Sequence, residues 1–376
     1  MILHPNYLNQ HVLIEQLLQL APVVYVRFTG SRLAHAQAET QLQAALVEQT
    51  GQNRLDTVHT LVLDECDRVL SSEFDVFLPQ LAVSVGAARV FVITRRVPQC
   101  VISSETLRGQ TRFLPTETGL LLWDYAQRPT TQVLLEVRAF GSGGVLLNGQ
   151  PITNWDGVLP RALFFYLVDQ GMATRNQIFE TFWSKLNTHE ATNVFHVTKR
   201  KVSEVLGTDL TTFQAGFYRI SPNIELSYDA ATFNEMAQRS AVLSPEEALL
   251  PLRQAVALYK GPFLTSITMD WVKARRQELL QTYGEALVSL AKLYEQGGKP
   301  HEALGLYLRA IMTNRQREDL AAAVMRLYRE LQLRADALLV YERLRETLVN
   351  ALNMQPAAFV QELAAEIRRE VDAGYA

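Results

Sequence analysis

Glu190 to Leu206 reads EATNVFHVTKRKVSEVL. Wound as a helix, it sorts into two unlike faces. Val194, Phe195, Val197, Val202, Val205 and Leu206 fall on one side. Thr192, Asn193, His196, Lys199, Arg200 and Ser203 fall on the other, within about 120° of arc at about 100° per residue. A solvated helix face ordinarily pairs Glu with Lys. This one carries amide, imidazole, hydroxyl and two cations, with no carboxylate at its centre. Such groups suit base edges and phosphates. The stretch therefore reads as a helix built to enter a DNA groove.

Its flanks give it a setting. Upstream lie two further helical segments, about 159–170 and 174–184, the second opening on Thr174 with Gln177 three residues on, a capping box. Before them, VLLEVRAF (133–140) and GVLLNG (144–149) are joined by Gly141-Ser142-Gly143, an antiparallel hairpin pattern. Downstream, TTFQAGFYRI (211–220) places two β-rich arms around Gln214-Ala215-Gly216, a second hairpin. Trp155, Phe164, Phe165, Tyr166, Phe179 and Trp183 sit at core spacing beside other apolar residues and read as interior. Across 132–228 eight cations (Arg138, Arg161, Arg175, Lys185, Lys199, Arg200, Lys201, Arg219) meet eight anions (Glu136, Asp156, Asp169, Glu180, Glu190, Glu204, Asp209, Glu225). A neutral module binds nucleic acid weakly alone; two copies on two half-sites recover affinity through effective concentration.

Residues 229–376 are helical throughout and repeat. Leu293, Tyr294, Ala303, Leu304 and Tyr307 recur 34 positions later as Leu327, Tyr328, Ala337, Leu338 and Tyr341. That period belongs to tetratricopeptide helix pairs, which stack into a superhelix. EEALLPLRQAV (246–256) resembles the second helix of another such unit, EALGLYLRAI (302–311).

Residues 1–127 alternate instead. VVYVRF (23–28), LVLDE (61–65) and VFVIT (90–94) are β-branched runs with helix-like stretches near 33–49 and 74–85, the order of a small parallel α/β sheet. Thr111–Tyr125 reads as an edge hairpin or the start of a connector, and Gln127–Thr131 as a linker. The chain thus divides into an α/β domain (1–127), a winged helix-turn-helix (132–228) and an all-α repeat superhelix (229–376).

Composition sets bounds. Hydrophobic residues at 48% and charged residues at 20% describe a globular protein. A net charge of −3 argues against bulk attraction to nucleic acid but leaves room for a local basic patch. Two cysteines, Cys66 and Cys100, cannot build a disulfide framework or metal cluster. The opening MILHPNYLNQ lacks a secretory pattern and no apolar run reaches about 18 residues, so the expectation is a cytoplasmic protein with no membrane span and no metal or other cofactor.

The ordered sheet, three helices and hairpin resemble a winged helix of the OmpR type, with VFHVTKRKVSEVLG (194–207) similar to its recognition helix and FQAGFYRI (213–220) to its wing. LYKGPFLTSITMDWVKARRQELLQTYGEALVSLAKLYEQGG (258–298), ADALLVYERLRETL (335–348) and MQPAAFVQEL (354–363) resemble the bacterial transcriptional activator domain. In combination, over roughly 132–370, they resemble the regulators named for Streptomyces antibiotic regulatory proteins. The resemblance implies a non-enzymatic transcriptional activator that binds direct repeats in double-stranded promoter DNA, as a homodimer, and recruits RNA polymerase. An α/β block in front departs from the shortest members.

On that reading Arg200 pairs with guanine, Asn193 with adenine, and His196 gives or takes one bond. Lys199 and Lys201 meet phosphates, and Thr192 and Ser203 act on phosphate or through water. Arg175 and Asn176 hold a phosphate at a helix N-terminus. Gln214, Gly216 and Arg219 reach the adjacent minor groove. In the front block, LVLDECD (61–67) has the look of a Walker B strand, and VFVITRR (90–96) resembles the following strand of signal-transduction ATPases of the STAND type. No G-x-x-x-x-G-K-[ST] occurs, so the block reads as a degenerate NTPase-like fold without hydrolysis, with receiver-like or unrelated α/β folds as alternatives. The competing functions are a nucleotide-driven switch and a repeat-based protein adaptor. Cys66 and Cys100 follow neighbouring strands and read as buried structural thiols, with a thiol sensor as the alternative.

Overall fold

The computed structural model describes residues 2–4, 14, 17–18, 22–30, 32–55, 58–86, 88–94, 97–113, 133–214 and 216–374. The expected linker at 127–131, Arg95-Arg96 and Ala215 lie outside them. No helix of the described residues is long and apolar enough to cross a membrane.

The first sheet holds β1 (Ile2–His4), β2 (Val23–Arg27), β3 (Thr60–Asp64), β4 (Arg89–Ile93) and β5 (Arg112–Phe113), in the order β2-β3-β4-β1-β5 with every neighbour parallel. β3 is buried at each position because both faces of the sheet are covered. Leu61 and Leu63 join Val24, Val26, Val90 and Val92 in a core shared with α1 (His35–Thr50) and α2 (Ser71–Ser84). Val62, Phe91 and Ile93 pack with Leu17 on the opposite face. Two short helices follow β4: α3 (Gln99–Ser103) and α4 (Glu105–Gly109). Three of the five strands were expected; β1 and β5 are too short for periodicity to register. Within 111–125 the described residues are 111–113, of which Arg112–Phe113 form β5, parallel to β1; the rest of that stretch lies outside the described residues.

Next, β6 (Val133–Arg138) and β7 (Gly144–Leu147) form the expected antiparallel hairpin, continued by β8 (Gln150–Pro151). Gly143 sits in its turn at φ +85°, and a Cβ there would lie 2.7 Å from Leu264 Cδ2, so the position needs glycine on both counts. Then come α5 (Val158–Gln170), β9 (Met172–Thr174), α6 (Arg175–Trp183) and α7 (Thr188–Leu206). β10 (Thr211–Gln214) and β11 (Phe217–Ile220) make a hairpin that β9 extends to three strands. β12 (Ile224–Tyr228) returns to pair parallel with β6. β9 has too few residues for periodicity to register, and β12 follows the stronger hairpin signal and pairs with the distant β6.

Seven helices complete the described chain: α8 (Asp229–Ser240), α9 (Pro245–Leu258), α10 (Asp270–Gln296), α11 (Pro300–Thr313), α12 (Glu318–Glu330), α13 (Arg334–Leu352) and α14 (Ala358–Gly374). The 34-residue repeat maps onto the pairs α10–α11 and α12–α13. Ala303 and Ala337 are fully buried, where only a small side chain lets neighbouring helices close up. Gly284 does the same on α10: a Cβ there would stand 2.6 Å from Thr313 Oγ1.

Buried residues from Leu135 to Leu327 form one contiguous core, so the three-helix segment and the helical array share an interior. Phe140 lies 5.3 Å from Phe233 and 4.8 Å from Tyr259, which stacks on Tyr283 at 4.0 Å. Tyr166 meets Trp271 edge-on at 5.3 Å. Polar contacts follow the same seam. Asp229 accepts hydrogen bonds from the Ala139 and Phe140 amides at 2.8 and 3.1 Å. Asp169 of α5 accepts from Tyr228 Oη at 2.9 Å and pairs with Arg275 of α10 at 3.1 Å. The front sheet keeps its own core, which Val242 of the array touches.

Candidate nucleic-acid interface

α7 is specified at both ends. Asn187 Oδ1 accepts from the Glu190 amide at 2.9 Å while the Glu190 carboxylate accepts from the Asn187 amide at 3.3 Å, a capping box. Gly207 closes the helix at φ 66°, a left-handed position that favours glycine. Ala191, Phe195, Thr198, Val202 and Leu206 form the buried face. Phe195 is fully buried, its ring 5.9 Å from Phe179, 6.1 Å from Trp183 and 5.0 Å from Tyr218. One ring thereby fixes α7 against α6 and against β11.

The outward strip holds Asn193, His196, Val197, Arg200 and Glu204, all exposed. Thr192, Lys199, Lys201 and Ser203 are half-buried along its edges. Two placements differ from the sequence reading. Val197 was assigned to the apolar face but is 49% exposed, because it lies only about 40° around the helix from Asn193. Thr198 takes a buried place, its hydroxyl satisfied by Val194 O at 2.7 Å.

Each cation of the 199–201 triplet has a carboxylate partner: Lys199 with Asp209 at 3.4 Å, Arg200 with Glu204 at 3.3 Å, and Lys201 with Asp156 at 2.8 Å. Exposed pairs of this kind contribute about 0–1 kcal/mol, so exchanging the carboxylate for a phosphate costs little. Ser203 Oγ donates to Asp209 at 2.7 Å, and Thr192 Oγ1 to its own helix at Thr188 O, 2.6 Å. The Ser203 hydrogen bond and the Lys199 charge hold the Asp209 carboxyl below the ordinary aspartate range. A group depressed on folding contributes stability above its unfolded pKa and loses it as pH falls through the folded one. In an NMR titration Asp209 should therefore protonate below an ordinary aspartate, and Ser203→Ala should shift its midpoint upward. An unshifted midpoint in the variant would remove Ser203 as the cause.

The remaining expected residues sit on neighbouring elements. Thr174 Oγ1 and Gln177 Oε1 close the capping box at the start of α6, where Arg175 and Asn176 are exposed. Gln214 and Gly216 are exposed at the hairpin turn. Arg219 is placed otherwise. Its side chain is only 16% exposed and turns to the front sheet, 3.6 Å from the Glu65 carboxylate, so in this conformation it does not offer itself to a minor groove. Nothing in the sequence signals that contact, since its partners lie in a distant block.

The acidic pair after β3 is engaged throughout. Asp64 is buried and accepts from Tyr25 Oη at 2.6 Å; burial pushes its carboxyl above the ordinary range against that hydrogen bond. Glu65, 1% exposed, adopts φ 58° and binds Arg27 through one carboxylate oxygen at 2.6 Å and Arg68 through the other. Both of its oxygens thus serve guanidinium groups. Burial raises the Cys66 thiol well above its ordinary pKa, and burial with the Asp75 hydrogen bond pushes Cys100 up to about 12, so thiolate is scarce at both.

Comparison with known proteins bears mainly on the helical array. No curated protein matches the chain. Among solved structures it is similar to Mycobacterium tuberculosis EmbR in complex with a low affinity phosphopeptide, with 19% identity and a TM-score of 0.51 over 64% of this chain and 66% of that one. The chain thus spans just under two thirds of that structure, and the likeness is one of fold. Pseudomonas aeruginosa PilF (15% identity, TM-score 0.18, 58% of this chain and 92% of that one) superposes too loosely to inform the fold. The same holds for a Pyrococcus horikoshii signal-transduction ATPase with numerous domains bearing a tetratricopeptide repeat sensor (11%, TM-score 0.25, 98% and 64%). Residues 228–368 match the family described as the bacterial transcriptional activator domain, and that match supports a regulator of transcription.

Proposed function

We propose that the protein is a sequence-specific DNA-binding regulator of transcription, and an activator. In this reading residues 132–228 are an OmpR-type winged helix that puts α7 into the major groove. Residues 229–376 are a repeat domain that contacts a second copy and RNA polymerase. The observation that carries it is the strip on α7: Asn193, His196, Val197 and Arg200 face outward together on a helix whose far side is locked into the core by Phe195. Arg200 would read guanine, Asn193 adenine, and Val197 the methyl group of thymine; His196 would supply one further bond. Lys199 and Lys201 would exchange their carboxylates for phosphates, and Thr192 and Ser203, already hydrogen-bonded within the protein, would act through water. Arg175 and Asn176 at the α6 N-terminus and the Gln214–Gly216 turn would meet the backbone on either side.

The front segment would be a degenerate NTPase-like unit in which the acid pair has become a structural contact. Its all-parallel sheet and the guanidinium-bound Glu65 support that reading.

Selection of bound sequences from a random duplex pool tests the proposal. A defined site should emerge, and Arg200→Ala should weaken binding to it by about 1–3 kcal/mol while relaxing one base position. Equal loss on selected and random duplexes would contradict base reading by Arg200.

A further inference from the structure

Among the described residues the front segment reaches across to the hairpin at one cluster. Phe217 of β11 is ringed by three guanidiniums: Arg27 at 4.5 Å, Arg68 at 4.9 Å and its own neighbour Arg219 at 5.9 Å from the ring centroid. Glu65 holds the same three cations, and Arg27 also comes within 4.0 Å of Met172 Sδ on β9. Val97 donates its amide to Gln238 Oε1 at 2.9 Å and Val242 touches the front core, beside a cavity of about 1400 Å³ lined from both sides by residues including Asp67, Thr94, Tyr228 and Arg275.

We propose that Glu65 is the centre of a latch by which the front segment restrains the DNA-reading hairpin, so that Arg219 and Phe217 must be released before the hairpin can settle on a duplex. The inference rests on the DNA-binding reading above. Four observations carry it. Arg219 is the only cation of the described hairpin and spends its charge on Glu65. Among the described residues the front segment has its own core, touched from the array by Val242, whereas the three-helix segment and the array share one, so the front can part from the rest without opening that shared interior. Burial, together with the charge of Arg27, holds the Arg219 pKa below the ordinary arginine value, so leaving for a phosphate-lined groove relieves both. Finally, the cluster gathers three cations around one fully buried carboxylate, and neutralising that carboxylate leaves mutual repulsion in its place.

The test uses the full chain and a duplex probe obtained from the random-pool selection. By fluorescence anisotropy, Glu65→Gln should bind the probe about tenfold more tightly than the unaltered protein. A second arm tests the latch even where that variant folds poorly. Arg68→Cys and Phe217→Cys, joined by a short bismaleimide, should bind at least tenfold more weakly than the same protein left unlinked. Cys66 is buried, and the half-exposed Cys100 is replaced by serine in both forms. Equal affinity of the Glu65→Gln and unaltered proteins, with no loss on linking, overturns the latch and leaves DNA reading intact. If no duplex is retained by any form at low salt, the DNA reading fails and the latch falls with it.

Discussion

Asp169→Ala should cost about 3–5 kcal/mol of unfolding free energy, an effect on the scale of deleting a core side chain. Asp169 is buried at the junction of α5 and α10, where it pairs with Arg275 and accepts from Tyr228. Burial alone works against the Arg275 cation, yet Asp169, Glu278 and Tyr228 together hold its pKa above the ordinary arginine value. Without Asp169 the guanidinium stays charged and buried, with Glu278 as its remaining described carboxylate partner. Urea denaturation followed by tryptophan fluorescence measures the loss. Asp169→Asn, which keeps the shape and one acceptor, should recover part of it. A loss below about 1 kcal/mol for Asp169→Ala would mean that solvent screens the pair as it screens surface pairs.

Phe195→Ala should be of similar size, about 3–5 kcal/mol, for a different reason. It removes a ring that touches Phe179, Trp183 and Tyr218 and leaves a cavity between three elements. Stability and the register of α7 should decline together, so DNA retention should fall even at temperatures where the variant is folded. Phe195→Leu, which refills most of the space, should lose far less on both measures. A stable variant with undiminished binding would show that α7 is positioned by its caps alone.

Much of this architecture was readable from sequence where long, periodic segments were concerned. The 3.6-residue pattern of 190–206, the Thr174–Gln177 box and the Gly141–Gly143 turn each depend on neighbours a few positions away, and the structure places helix, cap and hairpin there. The 34-residue repeat was equally visible, because Ala303 and Ala337 must be small for a reason each repeat restates. Strands of two or three residues, such as β5 and β9, carry too little pattern to register. Pairing of β12 with β6 joins residues about ninety positions apart and has no local signature. On α7 the polar residues were identified, but Val197 was given to the core on hydrophobicity although its angle already placed it outside. Of the carboxylates facing the 199–201 triplet, Glu204 lies one turn along the same helix, but the others come from a loop at Asp156 and a turn at Asp209, and the partner of Arg219 from another sheet altogether. Contacts of that range follow from the fold and are invisible to any windowed reading.

The interior shared between the three-helix segment and the array has an evolutionary corollary. A cut at residue 228 would pass through Tyr228 and Asp229, whose side chains grip Asp169 on one element and the Ala139 and Phe140 amides on another. Recombination that transplanted either half would strand the Phe140–Phe233–Tyr259 rings against foreign neighbours. New binding preferences would therefore arise by point substitution along the outer strip of α7, where the ties are exposed ion pairs that cost little to exchange, rather than by exchange of whole modules.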